Sequence, residues 1–562
     1  MKLKIRISMF LLSIVMVFSM FAVFPVFAAE GDSGYDTDAA ALAADATFKF
    51  RKNMTDAEGT GAKYYTTLSA ALASVGAEET AYIKMLDDVS VASAISADFI
   101  GVDVTLDLGG HTLTGPTNAQ LLGNTTNGFK GTSLTFTNGT VEAHTLLYTH
   151  TASIVTFKDI TVHVLASLYV ACSGAANSTL VFDGATANIG GMTTSVSYDT
   201  SPGIESKVVG NLTIELKNDS TVTRTAQGRN KSNVPKALQN FLIGFNAATA
   251  MDLSIDGTST LKMNITGEEP SGAIVQALIG AAGTYKNTAS LNLTLAEGST
   301  IGIVSKFALS SSMGNSYFVY QVNNHSIVDN GAIWQVSKEV LIEANKVRLP
   351  SWTKVTVPGK TKLGWSIGGR LVKEDALYYD TSVTDDILNF SFVAFDFSDF
   401  AMRNGASVRL TSQGGIRFET QVSTKLLALL GENVSFGTII SPTKFATNTD
   451  YCSEFTAETM AEADPPYYVT ITRTKWAEQE ETYKAFYGAL EGIPVTTAGV
   501  DTALSARAYL IVTYSDSTTG KYYTAYSEEN NSRSLRQVAN AAYESGLTDN
   551  ATVNAIRAIP QA

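Results

Sequence analysis

The sequence predicts a mainly β protein: a long stack of strand-built coils followed by two smaller β-rich modules. Two observations carry this. A short pattern recurs between residues 100 and 335, in which an alternating apolar run meets a polar turn and then a second alternating run. Two separate runs also share one step, because Phe136 to Phe157 and Leu147 to Leu168 are each 21 residues apart. Stacked coils require this, since each residue must lie above its counterpart in the coil below. A β-sandwich of many hairpins is the competing arrangement, but unequal hairpins would not hold two strands to a shared period.

Residues 1–28 read as an export signal. Lys2, Lys4 and Arg6 precede an almost wholly apolar run from Met9 to Phe24, and Val26-Phe27-Ala28 supplies a small-residue cleavage pattern. An uncleaved membrane anchor is the alternative. No second long apolar run follows, so the mature chain is expected not to span a membrane. The expected location is extracellular, free or associated with the cell surface. The chain carries 40 Lys+Arg against 53 Asp+Glu, a net charge of −13. Loss of the three basic signal residues leaves 37 cations and a net −16. That balance argues against nucleic acid and anionic lipid as partners. Two cysteines, Cys172 and Cys452, exclude a disulfide scaffold and a Cys-rich metal site; they read as buried small hydrophobes.

After a lead-in at 29–63, Thr67–Val75 puts Leu68, Ala71, Leu72 and Val75 on one helical face, which predicts a short helix capping the first coil. The coil copies begin at 104, 133, 153, 178, 211, 251 and 290. Their apolar positions have period 2, and their turns use Gly, Asn and Asp. A second set of runs sits between them: QLLG (120–123), LLYT (146–149), SLYV (167–170), FLIG (241–244) and ALIG (277–280). The later steps are aligned as Phe157 to Phe182, Phe182 to Ile214, Ile214 to Ile255 and Ile255 to Leu295. Ser197–Lys207 and Thr225–Lys236 are expected to be side loops.

Residues 64–345 resemble the secreted, right-handed parallel β-helix (pectin-lyase-like) proteins of bacterial surfaces. The runs Tyr65–Leu72, Ile83–Val89 and Thr105–Leu113 are the most specific part of that likeness. Residues 346–402 carry Val357-Pro358-Gly359, Leu363-Gly364-Trp365 and Phe390–Phe395, and resemble a small β-rich repeat module of Gram-positive surface proteins. Residues 403–562 resemble a clostridial-type C-terminal module, β-sandwich-like with a terminal helix. In that helix Leu535, Val538, Ala539 and Ala542 share a face.

The resemblance raises polysaccharide chemistry. A lyase needs a Ca²⁺ cage with a base, and a hydrolase needs paired carboxylates. Asp159, Asp183, Asp219 and Asp256 are the in-coil candidates, but each falls at a turn where Asp is a turn former. His111 follows Gly109-Gly110 and reads as an outward turn residue. His144, His150, His163 and His325 lack metal-ligand spacing. No catalytic, metal or cofactor residue is therefore assigned.

Tyr148 and Tyr169 occupy equivalent places on adjacent coils and are the first candidates for stacking on sugar rings. If Leu147 and Leu168 face outward instead, the tyrosines belong to the core. Trp365 is the third candidate, with a core role as its alternative. Arg409, Arg417, Arg507 and Arg533 either bind an acidic sugar or tie strands to carboxylates. The resemblance implies a noncatalytic adhesin-like protein that binds polysaccharide or cell-envelope glycan. The second reading is a polysaccharide lyase or glycoside hydrolase with an unfamiliar site in the loops of 190–240.

Overall fold

The computed structural model describes residues 38–561, apart from 52–61, 77–79, 96–102, 124–128, 148, 150–152, 171–176, 191–203, 207–209, 229–237, 246, 268–273, 282, 306–315, 339–345, 368–369, 374–375, 379–385, 411–414, 432–433, 474 and 516. The expected export signal, Cys172, Tyr148, His150 and most of both expected side loops lie outside the described residues. The chain is mainly β and divides into two compact units. One holds residues up to 355 with 375–388, and the other holds 356–374 with 389–562.

In the first unit, Phe48–Arg51 pairs antiparallel with both Lys63–Tyr65 and Thr80–Met85. The expected helix is Leu68–Ala73. Thr67 caps it by accepting the Ala70 N–H, and Leu68, Ala71 and Leu72 are buried.

Three parallel ladders follow. The first runs from Thr80–Met85 through Asp103–Asp107 and the leading halves of Ser133–Ala143 and Ile154–Val164. It continues through Ser178–Asp183, Gly210–Lys217, Thr249–Ile255 and Ser290–Leu295 to Asn324–Asp329. The second joins the trailing halves to Thr186–Ile189, Thr221–Gly228, Thr260–Gly267, Thr300–Ser305 and Ile333–Ser337. The third joins Leu168–Val170, Ile204–Ser206, Leu238–Phe245, Ile274–Ala281, Ser316–Tyr320 and Lys346–Arg348. Strands pair between copies in these ladders, and the polar turn inside a copy is a corner between two of them.

The corners explain the turn residues. Asn138, Asp159, Asn218 and Asp219 have φ of 57°, 49°, 56° and 63°, where Asn and Asp are the least costly non-glycine residues. Hydrogen bonds run from corner to corner. Asn218 Nδ2 donates to Asp183 Oδ1 at 2.6 Å, and the Asn218 N–H donates to Asp256 Oδ2 at 2.6 Å. Beneath them, Ser220, Ser259 and Ser299 are fully buried and give the turned backbone its partners.

Phe157 lies level with Phe136 and Phe182, as the spacing predicts. Two later alignments are corrected. Phe182 lies beside Leu216, and Leu216 beside Ile255; Ile214 instead lies between Leu180 and Leu253. Both errors are shifts of two residues. A period-2 pattern is unchanged by such a shift, so the inward face was right while the neighbour was wrong. Ile204–Ser206, expected within a side loop, is a rung of the third ladder, and Thr225 to Gly228 continue a strand of the second.

In the second unit, one antiparallel sheet places Gly415–Ser423 beside Phe400–Met402, Ser407–Arg409 and Tyr483–Glu491. Another places Val434–Pro442 between Val469–Arg473 and Ala503–Thr513. The expected 346–402 module does not stand apart. Leu363, Leu371, Val393 and Phe395 share one buried cluster with Phe400, Phe418, Phe436, Phe486 and Leu510. Its strands are too few to bury Trp365 and their own apolar face alone.

The helix expected at the C-terminus is Leu535–Glu544, with Leu535, Val538 and Ala539 buried as the periodicity predicts, and a further helix, Ala551–Arg557, follows it. Ser534 and Gln537 form a reciprocal capping box. Ser534→Ala is expected to lower stability by about 1 kcal/mol in chemical denaturation of the second unit. An unchanged midpoint would show that packing alone holds this helix.

Candidate functional site

The third ladder carries the candidate site. Leu168, Ile204, Ile243 and Ile279 lie level on it and are fully buried. Alternation turns the next residue of each rung to the other side. Tyr169, Gly244, Gly280 and Tyr320 therefore make one column by register. This decides between the two options left open for Tyr169. Its neighbours Leu168 and Val170 are core, and Tyr169 itself is half-buried on the outer side.

Tyr169 does not meet another column tyrosine directly. Four rung steps separate it from Tyr320, roughly 19 Å at the usual strand spacing. Tyr320 has aromatic company of its own. Its ring centroid lies 4.7 Å from that of Tyr317 and 5.9 Å from that of Phe241. Gly280 makes room for this group, because a Cβ there would come within 2.9 Å of the Phe241 ring. The Arg224 guanidinium, itself buried, donates to the Phe241 carbonyl oxygen and fixes that rung from behind. Tyr317 and Tyr320 are half-buried, so each keeps part of its ring open to solvent. Burial, with Tyr317 alongside, pushes the Tyr320 hydroxyl above its ordinary value. It therefore stays a neutral donor across the physiological range. Two tilted tyrosine rings, each with its own hydroxyl, offer apolar faces and polar tips.

Trp365 is corrected. It is fully buried, with the rings of Phe390 and Phe392 edge-on at 5.7 and 5.1 Å, so it is a core residue and no platform for a sugar. The arginines are largely engaged. Arg409 pairs with Glu491 and Arg507 with Glu454, each at 2.7 Å. Arg417 donates to Ser407 Oγ and lies over the Tyr487 ring at 4.2 Å, while Arg533 donates to the carbonyls of Glu529 and Ser532. Tyr487 donates to Glu478; burial and that carboxylate push its hydroxyl up to about 12.

His111 closes the Leu108 turn through its backbone N–H, with Nδ1 3.6 Å from Asp88. His325 Nδ1 donates to the Val322 carbonyl at 2.6 Å. Cys452 is buried in its own small cluster, and burial pushes its thiol up. Among the described residues no group of three or more His, Cys, Asp or Glu could hold a metal ion. Among them, too, no helix is long and apolar enough to cross a membrane.

Tyr317, Tyr320 and Phe241 were not singled out by sequence reasoning, although a signal was present. The FLIG and ALIG runs continue at SYFVY (316–320), and Ala277 to Tyr317 is 40 residues, the same step as Ile255 to Leu295. No family model, no curated protein and no solved structure matches this chain.

Proposed function

We propose that the chain is a secreted, noncatalytic binding protein that engages polysaccharide or cell-envelope glycan through the outer side of the third ladder. In this reading the three ladders are the faces of a right-handed parallel β-helix, and the second unit is a β-sandwich-like carrier module. The observation that carries it is the aromatic group of Tyr317, Tyr320 and Phe241. These rings are held rigidly by ladder register, yet two of them remain partly open. Leaving such rings in water is unfavourable, and a sugar ring covers them with its C–H face. Because the rungs are fixed by hydrogen bonding, little entropy is lost on binding.

The test is retention of the mature chain on insoluble polysaccharides and on whole bacterial cells. The wild type is expected to be retained on at least one surface. The Tyr317→Ala/Tyr320→Ala double variant should lose about tenfold in affinity, from about 0.5–1.5 kcal/mol per aromatic contact. Tyr169→Ala should lose less, because its ring stands apart from the others. Failure of the wild type to bind any surface, or equal binding by the double variant, would reject the proposal. Release of reducing ends or unsaturated uronate would replace it with the enzymatic reading.

A further inference from the structure

A concave surface lies wholly within the second unit. It is a groove of about 600 Å³ whose lining includes Leu427, Ala428, Gly431, Phe436, Trp476 and Lys484. That volume falls in the range of small-ligand sites, about 300–1,000 Å³. One wall is the indole of Trp476. It lies nearly flat on Phe436, with centroids 4.1 Å apart and planes 22° apart, and Phe436 in turn rests on fully buried Phe486 at 4.6 Å. The indole is thus backed by core yet only half-buried. The opposite wall belongs to the helix Thr424–Leu430, which shows exposed Ala428 to the groove. Gly431, at φ 64°, ends that helix, and a Cβ there would meet nothing within 4 Å, so this end of the groove is open.

Lys484 also lines the groove, is half-buried, and makes no ion pair with any described residue. In a chain with 53 acidic residues against 40 basic ones, a groove-lining lysine with no ion-pair partner among the described residues offers its charge to a ligand. Distant charges are screened beyond about 8 Å at physiological ionic strength, and among the described lining residues Lys484 is the one charged side chain.

We infer that this groove binds a saccharide bearing a carboxylate, a uronic-acid unit of an acidic glycan. The sugar's C–H face lies on Trp476 and its carboxylate pairs with Lys484. An aromatic face alone would accept any apolar group. A flat ring joined to one anion selects a ligand that is itself flat, partly apolar and singly charged per unit. The inference extends the glycan-binding reading to a second site, on different residues, and names the sugar chemistry there.

The experiment is calorimetric titration of the full mature chain with tetragalacturonate, a mannuronate tetramer and a hyaluronan tetrasaccharide. Methyl-esterified tetragalacturonate serves as the neutral control. At least one acidic oligomer is expected to bind, with the methyl ester about tenfold weaker or worse if galacturonate is the ligand. Trp476→Ala and Ala428→Trp should each cost tenfold or more. Lys484→Gln should weaken the acid by about tenfold and leave a neutral oligomer unchanged. Ala428→Trp and Lys484→Gln alter partly open positions, so they remain informative if Trp476→Ala fails to fold. Tyr317→Ala/Tyr320→Ala should leave this binding intact, which separates the groove from the third-ladder face. Absence of binding by all three acids, or binding unchanged in Ala428→Trp and Lys484→Gln, would overturn the inference. Loss of binding in the Tyr317/Tyr320 variant alone would assign the ligand to the ladder instead.

Discussion

Phe157→Ala is expected to destabilise the first unit by about 3–5 kcal/mol. Phe157 is fully buried, and its ring is stacked between Phe136 and Phe182, with centroids 5.4 Å away on each side. Truncation removes the ring's burial and leaves a void between two rungs whose spacing is fixed by hydrogen bonds. Ladder strands cannot move closer than the usual 4.7–4.9 Å to fill it. Phe157→Leu should recover much of the loss, because it restores volume without the stacking geometry. The measurement is the denaturant midpoint of the first unit's own transition, followed separately because a two-unit chain need not unfold in one step. A loss below about 1 kcal/mol for the Ala variant would mean that the stack relaxes freely, contrary to a register fixed on both sides.

Asp329→Ala is expected to cost about 3 kcal/mol. Asp329 is fully buried at the last corner of the first ladder. Its Oδ1 accepts the N–H groups of Gly331 and Ala332, and its Oδ2 accepts Trp334 Nε1–H, all at 2.9 Å. Removing the carboxylate strands two buried donors, the Ala332 N–H and Trp334 Nε1–H, and frees the Gly331 N–H at an exposed position. Asp329→Asn keeps the Oδ1 contacts but sets an amide N–H against the indole N–H, so it should lie between wild type and Ala. The pH dependence has a definite sign. Burial raises the carboxyl above its ordinary 3.8, outweighing the donors that lower it. The folded state therefore holds the proton more tightly than the unfolded chain does. The resulting stabilisation is complete below 3.8 and is lost as pH rises through the folded value. Asp329→Asn should flatten that part of a stability–pH profile. A slope retained in the variant would assign it to another group.

Much of the fold was legible because it is periodic. Alternation identified the strands, Gly, Asn and Asp marked the corners, and the common 21-residue step placed Phe136 level with Phe157. The helical spacing of Leu68, Ala71 and Leu72, and of Leu535, Val538 and Ala539, marked two helices, which Thr67 and Ser534 cap in the structure. Legibility ended where periodicity is ambiguous. Ile214 and Leu216 are alike in a period-2 pattern, so only the hydrogen-bonded register chose Leu216 as the neighbour of Phe182. It ended again at residues 346–402, where local strands look self-sufficient but their apolar face is closed by Phe418, Phe436 and Leu510.

The candidate sites show the same division. Alternation along a strand already fixes that Tyr169 and its flanking leucine and valine face opposite ways. Which of them faces the core depends on which side of the ladder other rungs fill, and packing sets that. It likewise buried Trp365 beneath Phe390 and Phe392, and gathered Tyr317, Tyr320 and Phe241 from rungs some 75 residues apart. Trp476 and Lys484 are close in the chain, but their groove exists only because the helix Thr424–Leu430 supplies the facing wall. Alternation is a local property of the backbone and can be read residue by residue. Burial and juxtaposition are set by segments distant in sequence, so they are fixed only when those segments pack.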